Sequence, residues 1–239
     1  MRKLVTAIFN EWIGTSTKPL TIAVLGGDSG EPELEHLSDS VITFYGIENT
    51  NDDPRFRELD LNSDSPLVLP DENYELVLCS QVIEHLYNLP QSIKLISSLV
   101  KPGGYIWLGF PASNMPHGSP EYYAAGYPVS TVIKLLPIEF EIVLSGQIGT
   151  KRNYLWTHSL REWPPLDELN HPFLYIWRTD TSLIRKIIRV LRRLCKAQIV
   201  LADNKIRVDI EWATESYLLA KRLVVNKSNL YPIMEPSSN

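Results

Sequence analysis

VLGGDSGEPEL, residues 24–34, is an apolar run that breaks into three glycines and is then followed by acids. Glycine after a buried strand lets the main chain take angles closed to other residues and lets a ligand approach the backbone. In open α/β sheets such a turn faces the crevice beyond the carboxyl ends of the strands. A dinucleotide fingerprint needs glycine or alanine at positions 26, 28 and 31, and Asp28 and Glu31 break it at two of them. Asp28, Glu31, Glu33 and Glu35 crowd the turn, where a pyrophosphate needs positive potential and bare N–H groups. Phosphate is a poor guest at this turn, and a cationic ligand a good one.

Outward from this loop the chain alternates short apolar runs with helical periods. TIAVLG is a buried strand, Pro32 starts a short helix through Leu37, and VITFYGI (41–47) is a second strand. ELDLN (58–62) reads as a third strand and YELVLCS (74–80) as a fourth. PQSIKLISSLVKPGG places Ile93, Ile96, Leu99 and Val100 on one helical face and stops at Pro102-Gly103-Gly104. YIWLGF (105–110) is strand five, STVIKLL a helix, FEIVLSG strand six and ESYLLAKRLVV a final strand. Uniformly apolar strands separated by helices predict a doubly wound α/β domain, its mostly parallel sheet covered by helices on both faces.

The division expected is an amphipathic helix over 1–18, a core over 19–149, an insertion over 150–210, the last core strand over 211–225 and a loosely ordered tail over 226–239. In the first segment Leu4, Val5, Ile8, Phe9 and Trp12 recur at helical spacing, while Asn10 and Glu11 interrupt any signal-like run. No stretch has the apolar length of a membrane span. A net charge of −5 argues against wholesale nucleic-acid binding. Cys79 and Cys195 have no neighbours at metal-ligand spacing, so no metal site or disulfide framework is expected, and the reading is a reduced, cytoplasmic protein.

A ligand with a sulfonium, an ammonium and an adenosine, but no phosphate, suits the acidic turn; S-adenosylmethionine is one. VLGGDSG resembles the acid-x-G-x-G-x-G loop of class I S-adenosylmethionine-dependent methyltransferases, with Gly26 and Gly30 matching, Gly27 between them, and Val24 and Asp28 departing from the pattern. The resemblance covers roughly residues 20–147 and 215–225, and implies a seven-stranded sheet whose last strand is antiparallel. It also implies roles: Glu48, 22 residues after Gly26, for the ribose hydroxyls, Asp60 for the adenine amino group with the Leu61 backbone N–H beside it, and Ser80 and Gln81 beside the methyl group. The Pro-His-Gly turn after strand five, with tyrosines following, is similar to enzymes of bacterial cell-surface glycan and sugar biosynthesis.

Methyl transfer to a hydroxyl needs orientation and a base, and imidazole titrates near neutrality. His117, after strand five, and His85, after strand four, are the two candidates; either could instead be a packed loop histidine. Tyr122, Tyr123 and Tyr127, with His158 and Trp163 of the insertion, suit a sugar, glycan or small-molecule acceptor, or else a structural flap. Residues 181–200 form a helical pattern with six bases opposite an apolar face, which suits an anionic membrane surface, an anionic polymer, or docking on the chain's own core or on a homodimer partner. Two rivals stand beside glycan O-methylation: methylation of a small natural product, and a non-catalytic scaffold that has lost the cofactor.

Overall fold

A computed structural model describes residues 2–14, 18–49, 52–63, 73–114, 122–149, 154 and 213–224. Its centre is a seven-stranded sheet: β1 (Thr21–Leu25), β2 (Val41–Gly46), β3 (Phe56–Glu58), β4 (Tyr74–Ser80), β5 (Val100–Pro111), β6 (Phe140–Ile148) and β7 (Glu215–Arg222). The spatial order is β3-β2-β1-β4-β5-β7-β6. Strands β1 to β5 pair in parallel, whereas β7 runs antiparallel to both β5 and β6. This is the doubly wound, mostly parallel sheet with an antiparallel last strand.

Alternation along the strands divides the core in two. One face buries Ile22, Val24, Leu76, Leu78 and Trp107 against Val5, Phe9 and Ile13 of α1 (Arg2–Ile13), residues four apart on one helical stripe. The opposite face buries Ala23, Val77, Ile106 and Leu108 against Ile93 and Ile96 of α2 (Leu89–Ser98) and Val132 of α3 (Val129–Leu135). Helix α2 begins with Asn88 accepting the Gln91 N–H and with Pro90 in its first turn, where no intrahelical donor is needed.

Three expectations are corrected. The helix expected from Pro32 to Leu37 is a single 3-10 turn, Pro32–Leu34, so the first crossover carries no α-helix and α1 covers that face instead. The third strand lies at Phe56–Glu58 rather than 58–62, because Asp60 Oδ1 accepts the Asn62 N–H at 2.8 Å and turns the chain. The second long helix ends at Ser98, and Val100 already pairs with Tyr74. The register then jumps to Leu76 opposite Tyr105: residues 101–104 bulge out, with Pro102 lacking an N–H and Gly103 at φ +84°. The basic segment 181–200, the rest of the insertion and the tail lie outside the described residues, apart from Tyr154. Among the described residues no helix is long and apolar enough to cross a membrane.

At the amino ends of the central strands Glu75 accepts from Thr21 N at 2.8 Å and from Lys101 Nζ at 2.7 Å, tying β1, β4 and β5 together. The Lys101 hydrogen bond, then the Thr21 N–H, hold the Glu75 carboxyl below its ordinary pKa. A depressed acid stabilises the fold above its unfolded pKa and loses that contribution as pH falls through the folded value. Chemical denaturation of the Glu75→Gln variant is therefore expected to show lower stability at pH 7 and a shallower loss below about pH 4.5 than the parent chain.

Candidate functional site

The strand order reverses between β1 and β4, and the space beyond their carboxyl ends is where an open α/β sheet binds its ligand. β1 runs into Gly26, whose φ of +69° lies in the left-handed region. Its N–H donates to Tyr45 O at 2.8 Å and so pins the loop to β2. A Cβ built there would stand 2.6 Å from Val82 Cγ2, a contact no real side chain makes. Beside this bare backbone opens a cleft of about 180 Å³, lined mostly by apolar groups that include Leu25, Tyr45, Ile47, Leu59 and Val82. Asp60, Asn62 and His85 supply its polar edge.

Four of the residues singled out from sequence, Gly26, Asp60, Leu61 and His85, meet in this cleft. Leu61 sits in a fixed turn, its carbonyl accepting from Ser92 Oγ at 3.0 Å. Gly27 and Ser80 line a smaller pocket of about 10 Å³ that shares Leu25 with the first. Asp28 turns inward on the loop and its Oδ1 accepts the Gly30 N–H at 2.7 Å. Glu48 is exposed two residues beyond β2, next to Ile47 of the cleft wall. Gln81 points the other way: it holds a left-handed backbone at φ 58°, and its Nε2 donates to Glu215 Oε2 on β7 at 3.1 Å. A non-glycine residue there stores strain, a recurrent feature of functional turns.

The turn after β4 organises the second half of the site. Glu84 is fully buried, and its carbonyl accepts the N–H groups of Tyr123 and Ala124 at 3.1 and 3.2 Å, which clamps the tyrosine segment over the turn. Its carboxylate Oε1 lies 3.9 Å from His85 Nε2, too far for a hydrogen bond. The Tyr122 ring meets His85 edge-on at 6.0 Å, and Tyr87 meets Tyr123 likewise at 5.8 Å, both of the latter pair being exposed. Burial, and behind it the Glu84 charge, push the Tyr122 phenol up to about 12 and raise Tyr127 as well. Neither tyrosine is a base near neutrality. His117, His158 and Trp163 lie outside the described residues.

Several residues of this site escaped sequence reasoning. Asn62 joins the two turns, donating to His85 O at 2.9 Å and accepting Tyr87 N–H at 3.0 Å. Tyr87 brings an exposed ring, Val82 a wall, and Glu33 a carboxylate buried beneath the glycine loop. The signal was present only for Glu33, as one of four acids in an otherwise exposed loop; the rest depend on where turns fold. Among the described residues no group of three His, Cys, Asp or Glu side chains could hold a metal ion.

Compared with known proteins, residues 19–179 match the family described as "Methyltransferase domain". A putative methyltransferase from Bacillus halodurans superposes with a TM-score of 0.53 at 12% identity, over 92% of this chain and 99% of that one. The cyclase SpnF gives 0.52 at 14% identity over 93% and 81%. Coclaurine N-methyltransferase, solved with N-methylheliamine and S-adenosylhomocysteine, gives 0.51 at 13% over 92% and 71%. At such identities these likenesses speak for the fold. A comparison with curated proteins returned no match.

Proposed function

Because the chain belongs to the methyltransferase domain family, matched over residues 19–179, we propose that it transfers a methyl group from S-adenosylmethionine to an oxygen nucleophile, on a sugar, a glycan or a small-molecule acceptor. The observation that carries the cofactor reading is the bare Gly26 backbone at the switch point, opening on an apolar cleft with Asp60 on its rim and acids rather than bases around the loop. The cleft wall, from Leu25 to Leu59, suits a flat nucleobase; Asp60 offers a carboxylate for an exocyclic amine, and the exposed Glu48 one for ribose hydroxyls. The cofactor, when bound, supplies an electrophilic methyl on a positively charged sulfur.

The chain's own groups then do the rest. Tyr87 and Tyr123 offer an exposed, amphipathic pair of rings on which a sugar or flat ring can pack. His85 takes the hydroxyl proton on Nε2, which lies 3.9 Å from the buried Glu84 carboxylate. Gln81, tied to Glu215, holds the acceptor side of the cleft in one arrangement. Incubating the full chain with methyl-labelled S-adenosylmethionine and a panel of sugar, glycan, phenol and amine acceptors tests this reading; label moving to amines alone would exclude the oxygen nucleophile.

A second reading, a scaffold with no cofactor, is favoured by one observation: the Asp28 carboxylate occupies the Gly30 N–H that a ligand would otherwise meet. Calorimetry with S-adenosylhomocysteine separates the two, since the scaffold gives no heat.

A further inference from the structure

Asn62 commits both ends of its side-chain amide to one short stretch of the turn after β4: Nδ2 donates to His85 O at 2.9 Å, and Oδ1 accepts the Tyr87 N–H at 3.0 Å. Leu86 between them is extended, at φ −103° and ψ 118°. In extended chain the carbonyl of one residue and the N–H two residues on point to the same side, which is how a strand presents itself to its neighbour. The Asn62 amide therefore stands in for the peptide group of an adjacent strand and fixes the backbone from His85 to Tyr87. Much of the acceptor half hangs on that backbone. His85 and Leu86 line the cleft, and the exposed Tyr87 ring meets Tyr123. Glu84, next along the chain, holds the tyrosine segment, its carbonyl accepting the N–H groups of Tyr123 and Ala124 at 3.1 and 3.2 Å.

The other end of this strut is the nucleoside half of the cleft. Asp60 Oδ1 accepts the Asn62 backbone N–H at 2.8 Å, and Asp60, Leu61 and Asn62 all line the cleft. Ser92 of α2 anchors the same turn, its Oγ lying 3.0 Å from both Leu61 O and Asn88 O. We propose that Asn62 couples the two halves of the site: a nucleoside that engages Asp60 steadies the 60–62 turn, and Asn62 passes that order to His85, Tyr87 and the tyrosine segment. Binding is then ordered, cofactor before acceptor. A ligand that steadies one end of a rigid link lowers the ordering cost at the other end, and the effect is reciprocal. Asn62 is a positioning residue in this scheme, acting on the transfer through the backbone of 85–87.

The coupling rests on the cofactor reading, and one experiment lets the two fail separately. Amide hydrogen exchange is followed residue by residue in the full chain, with and without an excess of S-adenosylhomocysteine. In the parent chain the ligand is expected to slow the N–H groups of Gly26 and Leu59, which border the cleft, and to slow those of Tyr123 and Ala124 about fivefold to a hundredfold. In Asn62→Ala, which keeps the backbone N–H that Asp60 accepts, the ligand is expected still to slow Gly26 and Leu59, while its effect on Tyr123 and Ala124 falls below about twofold. A role confined to stability would quicken Tyr123 and Ala124 equally with and without ligand and keep the parent's ratio; that result overturns the coupling. So does a parent chain in which Gly26 and Leu59 slow but Tyr123 and Ala124 do not, and there the cofactor reading stands. If Asn62→Ala does not fold, Asn62→Ser, whose short hydroxyl cannot span both backbone groups, decides by the same ratio. No slowing at any amide of the parent chain overturns the cofactor reading and the coupling together.

Discussion

Gly26→Val is expected to abolish detectable binding of S-adenosylhomocysteine, a loss of more than about a hundredfold, and to destabilise the fold by about 2–4 kcal/mol. Two effects add. The native φ of +69° is strained for any L side chain and worst for a β-branched one, which costs about 1–3 kcal/mol by itself. The new Cβ would also lie 2.6 Å from Val82 Cγ2, so Val82 must swing away, and Val82 is a wall of the cleft. Gly26→Ala separates the terms: it keeps the φ strain, at about 1–2 kcal/mol, with a smaller push on Val82 and a binding loss nearer tenfold. Urea melts and calorimetry on the two variants read stability and affinity independently. Wild-type affinity in Gly26→Val would mean that the loop does not face the ligand.

The second large effect concerns His85. Exchanging it for glutamine is expected to lower kcat by about 10²- to 10⁴-fold towards a hydroxyl acceptor, the usual contribution of a positioned base. Glutamine fills similar space beside Leu86, so the affinity for S-adenosylhomocysteine should stay within about threefold. The raised phenol of Tyr122 leaves it no part as a substitute base near neutrality. Should His85→Gln retain full kcat while His117→Ala does not, the base lies in the loop after β5 instead.

How much of this was legible in the sequence depends on what kind of physics sets each part. Buried parallel strands are nearly continuous apolar runs, so YELVLCS was readable to the residue as β4, and the spacing of Leu4, Val5, Ile8, Phe9 and Trp12 shows α1 from its own periodicity. Short elements were not. Three residues of β3 carry no period, and the run ELDLN mixes the end of that strand with the turn capped by Asp60. Lys101-Pro102-Gly103-Gly104 reads as a helix stop, but whether such a stop is a loop or a bulge inside a strand is decided by the pairing of Val100 with Tyr74, a contact made at a distance along the chain.

The site divides along the same line. Gly26 and His85 stood out because each follows an apolar run that reads as a strand, and Asp60 and Leu61 through the family resemblance; the fold brings the four to one cleft. Asn62 was not, because its role is to bridge two turns that meet only after folding. Glu33 was visible as a charge and invisible as a buried one: the six-residue helix expected from Pro32 to Leu37 places it on a solvated first turn, whereas the 3-10 turn dips beneath Ser80. Local propensity cannot register such a dip, since burial under α1 sets it.

The most direct test of the central claim is calorimetric titration of the full chain with S-adenosylhomocysteine and, separately, with NAD. An acidic loop over a bare glycine backbone predicts a saturable S-adenosylhomocysteine isotherm with a dissociation constant at or below about a millimolar, and no heat from the dinucleotide at the same concentrations. Saturable binding of NAD that S-adenosylhomocysteine competes away, or no heat from S-adenosylhomocysteine itself, would contradict it.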